Sequence, residues 1–141
     1  MSELKFTVPG TPQPKGRARA CIRGGKIAHY TPKKTEQYEN SVRLAAALAM
    51  SQQGVKQFTG AVNVSVCAFV AIPESWSKKK KAAALSGEIM PTSKPDIDNV
   101  TKAILDGMNK VVFKDDAQVV RTLSGKAYAN EAKVIICVSE A

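Results

Sequence analysis

The sequence predicts an α+β fold: a mixed β-sheet of about five strands, two main helices and one short lysine-rich helix, in a single domain over residues 1–141. Three observations predict it. From Val62 to Ile72 every second residue is valine, alanine or isoleucine, the period of a strand. From Pro32 to Gln53, and again after Asp98, apolar residues recur three and four apart, the period of a helix turned to a core. Glycine and proline at Pro9-Gly10, Gly24-Gly25, Gly54 and Pro73 separate these runs.

Leu4, Phe6 and Val8 alternate with Lys5 and Thr7, a first strand that Pro9-Gly10 ends. Pro12 and Pro14 keep the following chain extended. Next comes a basic stretch with Lys15, Arg17, Arg19, Arg23 and Lys26, and Gly24-Gly25 between its short flanks predicts a hairpin. Thr31 is placed to cap a helix opened by Pro32 and running to about Gln53. Its apolar face takes Tyr38, Val42, Ala45, Ala46 and Ala49, with Leu44 and Leu48 beside it. The strand from Ala61 to Ile72 has a second face that turns from Asn63 and Ser65 to Cys67 and Phe69, the pattern of a central strand covered on both sides near its end. Ser77 then caps a short helix that begins with Lys78, Lys79, Lys80 and Lys81, with Trp76 as its anchor. Gln118–Ala127 and Lys133–Val138 read as two strands, and the short connection between them predicts a hairpin.

The window from Lys94 to Val120 is acidic in a chain of net charge +9. Asp98 is placed to cap a helix whose apolar face is Val100, Ala103, Ile104, Met108 and Val111. Asp98, Lys102 and Asp106 follow one another at intervals of four and line one ridge. Asp96 points the same way as Asp98 if that segment is extended. Asp115 and Asp116 stand before the next strand, so a helix N-terminus and a strand start can bring three carboxylates together. Clustered carboxylates repel unless a cation joins them, and hard oxygen donors suit Mg2+ or Mn2+. Lys102 is placed to hold a phosphate oxygen or to stabilise a leaving group. A plainer reading stands beside this one: Asp98 caps, Asp106 pairs with Lys102, and Asp115 and Asp116 make a turn. An EF-hand is excluded, because Thr101 falls where the sharp-turn glycine belongs and Gly107 where the bidentate glutamate belongs.

The string Asp96-Ile97-Asp98-Asn99, Lys102, and then Asp115-Asp116-Ala117-Gln118-Val119 resembles the RusA family of Holliday-junction resolvases. Pro14-Lys15-Gly16-Arg17-Ala18-Arg19 resembles the family less specifically. The resemblance implies a homodimeric, Mg2+-dependent endonuclease that resolves four-way DNA junctions in recombination and repair, of a kind often encoded by phages and prophages. It implies metal-binding roles for Asp96, Asp98 and Asp116 and an essential role for Lys102. Asp106 and Asp115 are then candidates to hold those groups in place.

Charge and composition agree with a nucleic-acid partner. The +9 balance favours a polyanion, and no amphipathic basic helix points to a membrane surface. Lys15, Arg17, Arg19 and Arg23, with Lys78, Lys79, Lys80 and Lys81, are the candidate phosphate contacts; a solvated surface is the ordinary reading of such runs. No apolar run is long enough to span a bilayer, and the N-terminus lacks the apolar stretch of a signal peptide. Cys21, Cys67 and Cys137 are odd in number and widely spaced, which fits a reduced cytoplasmic protein without zinc. His29, the lone histidine, is given no role. Two rivals remain: a nuclease for other branched or flap DNA, and a non-catalytic DNA-binding protein whose aspartates only cap and turn.

Overall fold

The computed structural model describes residues 2–16 and 19–141, and of Arg19 and Arg23 only the backbone. Its elements run β1 (Glu3–Pro9), β2 (Arg19–Arg23), β3 (Lys26–Tyr30), α1 (Lys33–Gln53), β4 (Val62–Ala71), α2 (Lys78–Ser86), α3 (Ile97–Met108), a one-turn 3-10 helix (Asp116–Gln118), β5 (Val119–Ala129) and β6 (Lys133–Glu140). The α+β expectation holds. The sheet has four strands in the order β1-β6-β4-β5, and β2 with β3 forms a separate two-stranded ribbon, so the fifth expected strand belongs to an arm.

Period-two patterning decides which face of the sheet is core. Leu4, Phe6 and Val8 of β1, Val62, Val64, Val66 and Ala68 of β4, and Val134, Ile136 and Val138 of β6 are all buried and point the same way. On that face lie Tyr38, Val42, Ala46 and Ala49 of α1 and Val100, Ala103, Ile104 and Met108 of α3. The opposite face of β4 is half-buried at Cys67 and Phe69, where the Lys133 ammonium sits 5.6 Å from the Phe69 ring. That is less cover than the apolar turn of this face predicts.

One topological expectation fails. β5 and β6 do not form a hairpin, because β4 lies between them, parallel to β5 and antiparallel to β6. Residues 130–132 pass the end of β4, where Phe69 is level with Lys133 and Ala71 with Ala129. The reason lies in β4. Its core face is buried from Val62 to Ala68, and a strand so buried needs both rows of backbone donors and acceptors paired. Two smaller corrections concern caps. α1 starts one residue later than expected, with Pro32 rather than Thr31 at the cap position. α3 is entered at Asp96, so Asp98 lies within the first turn and bonds its neighbour, the Asn99 N–H donating to Asp98 Oδ1 at 2.9 Å. Ser77 caps α2 as expected, accepting from the Lys80 N–H at 3.2 Å.

α1 and α3 approach closely at Gly107. A Cβ there would stand 2.7 Å from Val42 Cβ and 3.0 Å from the Glu39 carbonyl oxygen. Alanine is the better helix former by about 1 kcal/mol. Overpacking against a backbone carbonyl costs roughly 1–3 kcal/mol, and the helices cannot part without opening the core. Gly107→Ala is therefore expected to lower the thermal midpoint by several degrees, about 2–4 °C per kcal/mol for a chain near this size. A midpoint at or above wild type would mean that the helices separate freely there.

No helix among the described residues is long and apolar enough to cross a membrane.

Candidate active site and DNA interface

The N-terminus of α3 opens into a cleft of ≈ 580 Å³ lined by Pro14, Lys15, Gly16, Lys94, Pro95, Asp96, Asn99 and Lys102. Asp96 occupies the cap position of α3, yet its side chain makes no capping bond. Among the described residues its Oδ2 receives one long contact, from Asn99 Nδ2 at 3.5 Å, which leaves the carboxylate free of any strong bond to them. Lys102 lies in the second turn of the same helix and is exposed in the same cleft. Asp98 is exposed at the first turn, where negative charge is favoured by the helix dipole. α3 itself is held by its apolar face and by Thr101, whose hydroxyl donates to the Ile97 carbonyl at 2.8 Å and lies 2.9 Å from Ser124 Oγ on β5.

Asp115 and Asp116, adjacent in sequence, do different things. Asp115 caps the 3-10 helix, its Oδ2 accepting the Ala117 N–H at 3.0 Å. Gln118 completes that turn. Its side-chain oxygen accepts from the Lys114 and Asp115 N–H groups at 2.9 and 3.2 Å, and its amide donates to the Phe58 and Gly60 carbonyls at 2.9 and 3.0 Å. Asp116 follows as the first residue of the turn, half-buried; its carbonyl accepts the Val119 N–H, and its side chain enters no hydrogen bond or ion pair among the described residues.

Asp96, Asp98 and Asp116 offer the oxygen chemistry that a hard divalent cation takes. Their side chains do not converge: among the described residues no group of three or more His, Cys, Asp or Glu closes to metal-binding geometry. The donor chemistry fits the metal, and the spacing stays open.

Asp106 keeps its place on the ridge of α3 but takes another partner. It pairs with Lys15 rather than with Lys102: Lys15 Nζ is 3.0 Å from Asp106 Oδ2 and 2.7 Å from Glu39 Oε2 on α1. Burial disfavours the Lys15 charge, but the hydrogen bonds it donates to Glu39 and Asp106, with their negative charge, outweigh that, and its pKa is raised above the ordinary lysine value. Beneath this segment Tyr38 is buried. Its hydroxyl lies beside the Gln13 backbone without a full hydrogen bond, and burial pushes its pKa up to about 12.

The candidate DNA contacts divide in the same way. Arg17 lies outside the described residues, as do the Arg19 and Arg23 side chains, whose backbones open and close β2. Lys78, Lys79 and Lys80 are exposed on the first turn of α2, and Lys81 is half-buried. Lys80 Nζ stands 4.0 Å over the Trp76 ring, which also meets Tyr128 of β5 edge-on at 5.2 Å. Trp76 thus anchors α2 to the sheet. Cations at this positive end of a helix run against its dipole, a conflict that a polyanion relieves.

Sequence reasoning gave no role to Lys94, Asn99 or Glu39. Asn99 stood inside the D-x-D-N string, and Lys94 opened that stretch. Glu39 carried no local signal, since only the fold brings α1 to Lys15.

The family described as Endodeoxyribonuclease RusA matches residues 9–139 of the chain. A protein of Bacillus subtilis (strain 168), named only as uncharacterized protein YqaN, is 37% identical over 142 residues, covering 99% of this chain and 98% of its own length.

Proposed function

The chain belongs to the RusA endodeoxyribonuclease family, and from that premise we propose that it cuts four-way DNA junctions by paired, symmetric nicks in recombination and repair. The observation that carries the reading is the meeting of Asp96, Asn99 and Lys102 in one cleft at the start of α3, inside the matched region. Asp96, Asp98 and Asp116, apart in the structure, would have to draw together to hold Mg2+, or Mn2+ in its place, and the metal when bound would supply an activated water and positive charge at the phosphate.

The chain's own residues do the rest. Lys102 and Lys94 put ammonium charge in the cleft beside the place of the scissile phosphate, and Lys102 stabilises the negative charge that grows as the phosphorus gains a fifth oxygen. Pro14 and Pro95 wall the cleft and limit the directions from which a strand can enter. Asp115 and Gln118 fix the turn that presents Asp116. Lys78 and Lys79, with the basic arm formed by β2 and β3, meet the phosphates of the DNA arms, and such contacts orient a duplex without reading its sequence. The working compartment is the cytoplasm, where DNA is at hand.

A panel of end-labelled substrates tests the reading: a four-way junction, a three-way junction, a flap and a linear duplex, each with Mg2+ and with EDTA. The four-way junction is expected to be cut in Mg2+ alone, by nicks at symmetric positions in opposed strands. Preference for the flap would move the assignment to another branched-DNA nuclease. Tight binding with no cutting in any divalent metal would leave a non-catalytic DNA-binding protein.

A further inference from the structure

We propose that Lys15 is a positioning residue, one that straps the root of the basic arm to the helix bearing the cutting site; this rests on the nuclease reading above. Counted in sequence alone, Lys15 is one more cation for DNA. In the structure its ammonium is already held by two carboxylates from two helices, Glu39 of α1 at 2.7 Å and Asp106 of α3 at 3.0 Å. Its side chain is 27% exposed and those of the carboxylates 14% and 33%, so water screens this group less than a surface pair. Two of its three N–H donors are thus taken by carboxylates, and at most one is left for a phosphate.

The backbone around Lys15 is seated just as closely. The Lys15 N–H donates to the Asn99 carbonyl of α3 at 2.9 Å, and the Gly16 N–H donates to Thr35 Oγ1 of α1 at 3.0 Å. A Cβ at Gly16 would come within 2.7 Å of that oxygen and 3.1 Å of Pro32 Cγ, so any larger residue would displace the Thr35 hydroxyl. Pro32 and Thr35 begin α1 and lie at the returning root of the arm, whereas Gly16 lies at its outgoing root. Both roots therefore meet at one point, and Lys15 joins that point to α3.

The consequence follows from what the arm lacks. β2 and β3 pair with each other, and neither has an extensive contact with any other element among the described residues. A ribbon without packing of its own takes its direction from its roots. With the roots fastened to α3, the arm and the cleft at Asp96 and Lys102 move as one body, and DNA lying on the arm is delivered to the site in a set register. Loss of the strap should therefore affect cutting of bound DNA more than binding.

The test compares wild type with Lys15→Met, Lys15→Arg and the double variant Glu39→Gln/Asp106→Asn. Hydrogen exchange at the Lys15 and Gly16 amides needs no DNA: protection is expected to fall in Lys15→Met and in the double variant, and to persist in Lys15→Arg. Junction affinity against salt, measured in EDTA, is expected to keep its wild-type slope in Lys15→Met. Lys79→Ala, which removes one phosphate contact, should lower that slope by about 0.9. Single-turnover cleavage at saturating junction should fall roughly ten- to a hundredfold in Lys15→Met and in the double variant, the scale of a misplaced reacting group, and Lys15→Arg should restore most of it. The double variant keeps the lysine and removes only its partners, so it decides the matter even if Lys15→Met folds poorly. A Lys15→Met protein with a lowered slope and a wild-type saturated rate would make Lys15 a phosphate contact and overturn the proposal. So would unchanged exchange at Gly16. A wild-type protein that cuts no branched DNA sinks the nuclease reading instead, and the exchange result then stands alone on the strap.

Discussion

Asp96→Asn, Asp98→Asn and Asp116→Asn are each expected to slow junction cleavage by about a hundred- to a thousandfold, the scale for losing one group that stabilises transition-state charge. Junction affinity should hold or rise. Amide for carboxylate changes shape little and removes one negative charge from a surface that meets phosphate, so binding is spared while the metal loses a ligand. Folding should be spared as well. Asp96 and Asp98 are exposed, Asp96 makes no capping bond, and the Asp116 side chain has no hydrogen bond or ion pair among the described residues. Asp115→Asn is the control inside the same turn, since asparagine can still accept the Ala117 N–H and the turn keeps its cap. Single-turnover rates in Mg2+, with thermal midpoints alongside, separate the outcomes. Near wild-type rates in two of the three variants would show that the metal, if one binds, is held elsewhere.

The division between Asp115 and Asp116 shows where the sequence was legible. Period and spacing were enough for β1, β4, α1 and α3, because burial of one face is a local demand written every two, three or four residues, and the Ser77 cap was enough for α2. The glycine pair of the β2–β3 ribbon was equally plain. The β5–β6 connection was not. A short link between two strands, read as running through Tyr128-Ala129-Asn130-Glu131, suggests a hairpin, and nothing local says that β4 will enter between them. Caps at α1 and α3 were off by one or two residues, since proline and aspartate each suit more than one position at a helix start. At the site, the D-x-D-N string and Lys102 placed α3 as the bearer of chemistry, and the cleft lies at its N-terminus. The role of Lys15 stayed hidden. Its partners stand 24 and 91 positions away on two helices, and a lysine in a basic run looks the same whether it meets phosphate or carboxylate.

A supercoiled plasmid bearing a cruciform is expected to be linearised by the wild-type protein, and only nicked by a heterodimer in which one subunit carries Asp98→Asn. Each chain has one cleft with one Asp96 and one Lys102, whereas resolving a four-way junction requires cuts in two opposed strands. The junction has an approximate two-fold axis, and a C2 dimer repeats its site about an axis of the same kind. The proposed homodimer rests on family membership, and α1 offers surface for it: Leu44 and Leu48, four residues apart on the outward side, are 73% and 58% exposed. In a symmetric dimer each subunit brings its own Asp96, Asp98 and Asp116 to one strand, and the two basic arms and two lysine helices flank one positive face. One dead subunit then leaves one nick, and the product stops at the open circle. Full linearisation by the heterodimer, within a single binding event, would require one site to cut both strands in turn. A protein that sediments as a monomer at concentrations where it still linearises the cruciform would refute the symmetric mechanism, because the second cut could not then come from a bound partner.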